Sequence, residues 1–158
     1  MAMDRESFNS LCAGVAAALF IDDASAVERG DVFFVDGIEC QLVYMTERGG
    51  ALANFELGDP QPGTELELYR QLFEIQSMLV AHMEALFIRD PINDSMLFTV
   101  RIALADAMDA ATIAGVLRSL ATQVRRWRDT VMRGQFVDYE ALAEDVMNGE
   151  AGLSMMEV

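Results

Sequence analysis

The fold is decided by one stretch of the chain, VFFVDGIECQLVY, at residues 32–44. At its centre, Asp36-Gly37 favours a type I′ turn, because both residue types tolerate the positive φ angles that this two-residue turn requires. After the turn, apolar side chains recur at every second position from Ile38 to Tyr44, which is the period of a strand with one buried face. The stretch therefore predicts a β-hairpin. A turn at residues 48–50 and an apolar run over residues 51–57 predict a third strand beside it.

Helical and strand patterns alternate around this hairpin. Thr64 and Glu67 have the spacing of a capping box, in which the threonine caps a helix and the glutamate reaches back to it. The order α-β-β-β-α-β-β-α predicts a single α+β domain with one twisted antiparallel sheet packed with helices. Outside the hairpin and third strand, the predicted elements are helices over residues 4–21, 64–81 and from Asp109 onward, and strands over residues 85–89 and 96–104.

Negative charge and hydrophobicity are both in excess. The chain of 158 residues has a formal net charge of −15, and 53% of its residues are hydrophobic, whereas soluble domains are usually about 45–50% apolar. The charge argues against nucleic acid and anionic membranes as partners. The arginines around Trp127 could suggest nucleic-acid binding, but we predict that this tryptophan is a core residue and that the arginines are exposed. The apolar surplus must be buried in a core, against a second subunit or under a client protein. Composition therefore favours a binding protein over an enzyme.

The length predicts one domain that folds without metal or disulfide. We expect this domain to span residues 1–134. Residues 135–158 are expected to form an acidic extension, a short helix followed by disorder, that is dispensable for folding. Cys12 and Cys40 are too few for a disulfide framework, and the apolar run at residues 11–21 lacks the basic flank of a signal peptide. The sequence therefore predicts a cytoplasmic location.

Residues that could support catalysis are few. The one histidine, His82, lies beside Glu84 at a helix-to-strand junction, with no second histidine or cysteine at metal-ligand spacing. No phosphate-binding glycine loop, nucleophile elbow or zinc motif is present in the sequence. We therefore predict no enzymatic activity, no cofactor and no metal, and we interpret His82 as a partly exposed junction residue.

The helix predicted over residues 64–81 is apolar around most of its circumference. A helix that covers a sheet needs an apolar face of only about 100°. This helix has a second stripe and a 4-3-4 spacing that is typical of a helix–helix seam. We therefore predict a homodimer joined through it. The candidate dimer-interface residues are Leu68, Leu72, Ile75 and Leu79.

Together these features resemble class I type III secretion chaperones. The resemblance covers roughly residues 5–133 and is carried by the small acidic chain, the order of elements, the hairpin at residues 35–38 and the closing helix with Arg126-Trp127-Arg128. It implies a homodimeric chaperone of the bacterial cytoplasm that requires no nucleotide. It also implies a client, the N-terminal segment of a secreted effector, which is held extended and kept competent for secretion. The ATPase of the secretion apparatus is a further candidate partner.

An extended client can form main-chain hydrogen bonds at a sheet edge and place alternate side chains in apolar grooves. The candidate client-binding residues are Leu11, Val15 and Leu19 in the first helix, and Phe34, Ile38, Leu42 and Tyr44 in the hairpin. The alternative is a dimeric adaptor or regulator of the same fold that binds no secreted client. A complex with an unfolded effector segment would favour the chaperone, and complexes with folded regulatory proteins alone would favour the adaptor.

Overall fold

Helices and strands follow almost the predicted order. A computed structural model describes residues 3–105 and 108–142, so most of the predicted acidic extension lies outside the described residues. The elements are α1 (Arg5–Ala18), α2 (Ala24–Arg29), β1 (Phe33–Val35), β2 (Ile38–Met45), β3 (Gly50–Gly58), α3 (Glu65–Leu79), β4 (Ala85–Arg89), β5 (Met96–Ala103) and α4 (Ala110–Asp129), followed by a 3₁₀ turn (Val131–Arg133).

The strands form one antiparallel sheet in the order β1-β2-β3-β5-β4, which confirms the predicted fold class. The hairpin has the predicted turn, because Asp36 and Gly37 have φ angles of 49° and 82° and Val35 pairs with Ile38. After α3 the chain forms β4 at the edge of the sheet and then returns as β5 to pair with β3. β1 and β4 are therefore the two edge strands.

Alternation along the strands gives the sheet one covered face and one more exposed face. α4 packs against β1, β2 and β3 and also contacts α1. The covered face holds the large buried side chains, including Phe33, Val35, Ile38, Leu42, Phe55 and Phe98. The intervening positions carry exposed side chains, such as Phe34, Val43, Leu86 and Ile88. Since the hydrophobic period is two, a residue's parity along the strand decides which face it joins.

An aromatic cluster fixes the end of α4 on the sheet. The Trp127 ring lies edge-on to Phe87 and Phe98, with ring centroids 5.1 and 4.8 Å away, a favourable arrangement for aromatic pairs. Trp127 is 3% exposed. The prediction that this tryptophan belongs to the core is confirmed.

Three local predictions are wrong, each for a hydrogen-bonding or backbone reason. The helix α2 was not predicted, although Asp23 accepts a hydrogen bond from Ser25 N at 3.1 Å and Gly30 ends the helix with a φ of 77°. Thr64 forms no capping bond, because its hydroxyl instead donates to the Gln61 carbonyl at 2.8 Å. α1 ends before residue 21, since Phe20 has a positive φ of 57°.

Residues 135–142, which the sequence places in a separate extension, contact the body of the domain. Val137 N donates to Gln71 Oε1, and Gln71 Nε2 donates to Val137 O at 3.2 Å. Tyr139 packs at the margin of the core, and Ala141 N donates to Asp138 Oδ1 at 3.1 Å at the start of a helical turn. We call residues 135–142 the C-terminal strap. The boundary at residue 134 stays a prediction, and these contacts lead us to expect that the strap contributes to the stability of the domain.

Candidate functional site

Most of the predicted client-binding side chains face the interior. In the described chain Leu11, Val15, Ile38 and Leu42 are at most 7% exposed, while Leu19 and Tyr44 are half-buried. The reason is that the apolar face of the hairpin is the face that packs on α1 and α4. These six residues therefore do not form an open groove in the free chain. Phe34 is the exception among the seven, with 59% of its surface exposed.

Phe34 lies in the middle of the edge strand β1. The pair that closes a two-residue hairpin, here Val35 and Ile38, exchanges both main-chain hydrogen bonds, so the next pair, Phe34 and Glu39, does not. The N–H and C=O of Phe34 consequently point away from β2, toward the open side of the sheet. Val32, two positions before Phe34 in the chain, is 50% exposed. We call Val32 and Phe34, with the free main-chain groups of Phe34, the β1 edge surface.

At the opposite edge of the sheet, β4, an outward-pointing main-chain N–H already has a hydrogen-bond partner. The N–H of Phe87 in β4 donates to Gln76 Oε1 in α3 at 2.8 Å, so the side chain of a neighbouring helix occupies a position that an added strand would need. The exposed apolar side chains of β4 are Leu86 and Ile88, which are 54% and 39% exposed. Strand addition at the sheet is therefore favoured at β1 over β4.

The predicted dimer-interface positions also face inward. Leu68, Leu72 and Ile75 are 1–2% exposed in the described chain, and Leu79 is half-buried, because the 4-3-4 spacing serves packing within the chain. These side chains are therefore not part of an exposed surface of the single chain, and the dimer interface stays a prediction. The outward stripe of α3 is apolar as well, with Leu66, Phe73 and Val80 exposed by 80%, 64% and 71%. We call these three residues and the half-buried Tyr69 the α3 surface.

Two acidic groups lie on the same face of the sheet as Phe34, Glu39 on β2 and Glu56 on β3. Burial raises the pKa of Glu56, a hydrogen bond from Ser95 lowers it, and the nearby Glu39 carboxylate raises it further. The guanidinium of Arg125 in α4 donates to the carbonyl of Asp36 in the hairpin turn. This contact fixes the hairpin to α4, so β1 is presented from a rigid support.

The side chains with catalytic potential are not assembled into a site. His82 is exposed, and its neighbour Glu84 forms an ion pair with Arg101 at 2.8 Å. Burial raises the pKa of Cys12 to about 12 and also raises that of Cys40, which keeps both thiols protonated and unreactive at neutral pH. Within residues 3–105 and 108–142, no group of three histidine, cysteine or acidic side chains could hold a metal ion. The arrangement is suited to binding through apolar side chains and a strand edge.

Comparisons with known proteins identify the fold. No protein-family model and no curated protein sequence matches the chain. Among solved structures, a chain of the crystal structure of the ExsC-ExsE complex matches with a TM-score of 0.64 and 18% sequence identity, over 82% of this chain and 97% of that chain. At this level of identity the likeness concerns the fold alone, and it confirms the expected fold. Among the described residues, no helix is both long and apolar enough to cross a membrane.

Proposed function

We propose that this chain is a chaperone of a bacterial type III secretion system, which binds the N-terminal segment of a secreted effector in extended form in the cytoplasm. The observation that carries the proposal is the β1 edge surface, where free main-chain groups lie beside exposed apolar side chains. The shared fold with a subunit of the ExsC-ExsE complex supports it at the level of architecture.

The β1 edge surface has the chemistry that an extended polypeptide requires. An added strand would pair with the N–H and C=O of Phe34, and this pairing is independent of the client's side chains. Every second side chain of the client would then lie beside Val32 and Phe34 on the exposed face of the sheet. Main-chain pairing supplies general affinity, and apolar contact selects clients that carry apolar residues at alternate positions.

The α3 surface supports the homodimer that we propose as the working form. Leu66, Phe73 and Val80 form one stripe on α3, because they are spaced seven residues apart. Two chains that each carry a net charge of −15 repel one another, so a stable dimer needs an apolar contact of about 1,600 Å² in total. The exposed stripe would form the apolar centre of that contact.

The dimer is tested by placing charge on the α3 surface. Leu66→Glu combined with Phe73→Glu should convert the dimer to a folded monomer, measured by light scattering and circular dichroism. Val116→Glu, at a residue on α4 that is 38% exposed, is the matched control and should leave the dimer intact. A wild-type chain that is monomeric at micromolar concentration would contradict the proposal.

Client binding is tested with candidate secreted proteins, beginning with the products of the reading frames next to this chain's gene. Phe34→Asp should weaken the complex about tenfold, because further burial of this ring contributes on the order of 1–2 kcal/mol. Phe20→Asp, at a residue that is 88% exposed, is the control and should bind as the wild type does. Hydrogen exchange should show the Phe34 amide protected only in the complex. A partner that is already folded when bound, with no protection of this amide, would favour the adaptor.

A further inference from the structure

A cavity of about 340 Å³ lies beneath the C-terminal strap, between α3 and α4. Its volume is within the range of about 300–1,000 Å³ that is typical of ligand sites. The strap crosses it, so access depends on where the strap lies. The apolar lining residues are Ile75, Trp127, Val131, Val137 and Tyr139.

Two residues of the lining have side-chain donors that lack a partner among the described residues and are covered while the strap is in place. Trp127 Nε1 and Gln123 Nε2 are buried and form no hydrogen bond with any residue of the described chain. Leaving a buried N–H unpaired lowers stability, and native proteins rarely retain such groups without a reason. Both atoms donate, so the complementary ligand group is an acceptor such as a carbonyl oxygen. An apolar cavity with two free donors therefore suits a peptide segment with an apolar side chain.

The strap already shows how a polypeptide binds here. The buried amide of Gln71, a residue that is 4% exposed, bonds to both the N–H and the C=O of Val137. Any extended chain could form this pair, because it involves only main-chain groups. The side chains of Phe136 and Val137 are nevertheless 38% and 41% exposed, so the strap is held mainly by its backbone and leaves the cavity partly empty.

We propose that this cavity is a second docking site for an extended polypeptide, with the strap as its displaceable occupant. The incoming segment replaces Val137 on Gln71, inserts an apolar side chain beside Ile75, and presents main-chain carbonyls to Trp127 Nε1 and Gln123 Nε2. The inference rests on the proposed function only in taking the partner to be the same extended client. The client and the strap then compete for this site, because both bind Gln71 through main-chain groups.

The site is tested with the full chain and an acetylated, amidated peptide that has the sequence of residues 135–142. The chain has a single tryptophan, so the change in Trp127 emission measures occupancy of the cavity. Val137→Pro removes the N–H that bonds to Gln71 and should tighten peptide binding about tenfold. Tyr139→Ala is a second variant that loosens the strap, and Phe136→Ala is the control that keeps both Gln71 bonds.

Gln123→Leu distinguishes a binding role from a structural one. In the Val137→Pro background it should weaken peptide binding about tenfold, while the melting temperature of the free chain stays the same or rises because an unpaired buried donor is removed. If no variant responds to the peptide, or if Gln123→Leu leaves its affinity unchanged, the cavity holds only water and the inference is overturned. A client complex that is indifferent to Gln123→Leu would preserve the chaperone and overturn this site. If the peptide binds in this cavity but no secreted client binds the chain, the cavity site is supported and the chaperone function is overturned.

Discussion

Truncation of the chain after Gly134 should destabilise the domain, since it removes the C-terminal strap. The two bonds between Gln71 and Val137 contribute about 0.5–1.5 kcal/mol each, and the half-buried ring of Tyr139 contributes about 1 kcal/mol. The free energy of unfolding should therefore fall by about 2–4 kcal/mol. For a chain of this size the melting temperature falls by roughly 2–4 °C per kcal/mol, so calorimetry at fixed protein concentration should show a decrease of about 4–16 °C.

A matched truncation and a double-mutant cycle separate the strap from the residues beyond it. Truncation after Leu142 keeps the strap and should change the melting temperature by less than about 2 °C. Gln71→Leu should cost about 1–3 kcal/mol in the full chain but clearly less in the chain that ends at Gly134, because its partner Val137 is then absent and only the bond from Gln71 Nε2 to Glu74 remains. Equal melting temperatures for the two truncated chains and the full chain would refute the reasoning.

Three further predictions concern the body of the domain. Gly14→Ala should lower stability by about 1–3 kcal/mol, since a Cβ at this position would lie 2.6 Å from Ala110 Cβ. Gly115→Ala, where a Cβ would meet no atom within 4 Å, should instead raise stability by about 0.5–1 kcal/mol, and chemical denaturation measures both changes. Glu56→Gln should raise the melting temperature at pH 7, because burial raises the pKa of Glu56 above its ordinary value in the folded chain, and stability is lost as the pH rises through that folded-state pKa. Glu47→Gln, at an exposed charge, is the control, and an unchanged pH profile would contradict the prediction. Cys12 should react with a thiol reagent about a thousandfold more slowly in the folded chain, as expected from a pKa raised from 9.0 to about 12, and rapid labelling of the native protein by mass spectrometry would disprove it.

The architecture could be predicted from the sequence because its signals are local and periodic. The Asp36-Gly37 turn and the alternation in β5 each specify a strand without reference to the rest of the chain. β4 was predicted with its observed bounds, Ala85–Arg89. The short helix α2 was missed because its six residues are too few to show a hydrophobic period, although Asp23 and Gly30 supply both of its end signals.

The candidate site was predicted less well, because periodicity shows which residues share a face but not which way that face points. Leu72 and Ile75 belong to one stripe of α3 and Phe73 to another, and both stripes are apolar. Only the packed chain shows that the first stripe is internal. The strap was missed for a related reason. Its contact joins Gln71 to Val137, two residues that are 66 positions apart, and no local pattern records such a pair.

The length of β1 has a consequence for polymerisation. An open, apolar strand edge is the usual starting point for the uncontrolled growth of sheets from one molecule to the next. β1 has three residues, and only Phe34 directs both of its main-chain groups outward. A second copy of β1 could thus form a single residue's worth of pairing, too little to hold two chains that repel electrostatically. An added strand therefore needs side-chain contacts in addition to this pairing. A client that lacks the strong negative charge of this chain can supply them, whereas a second copy is repelled.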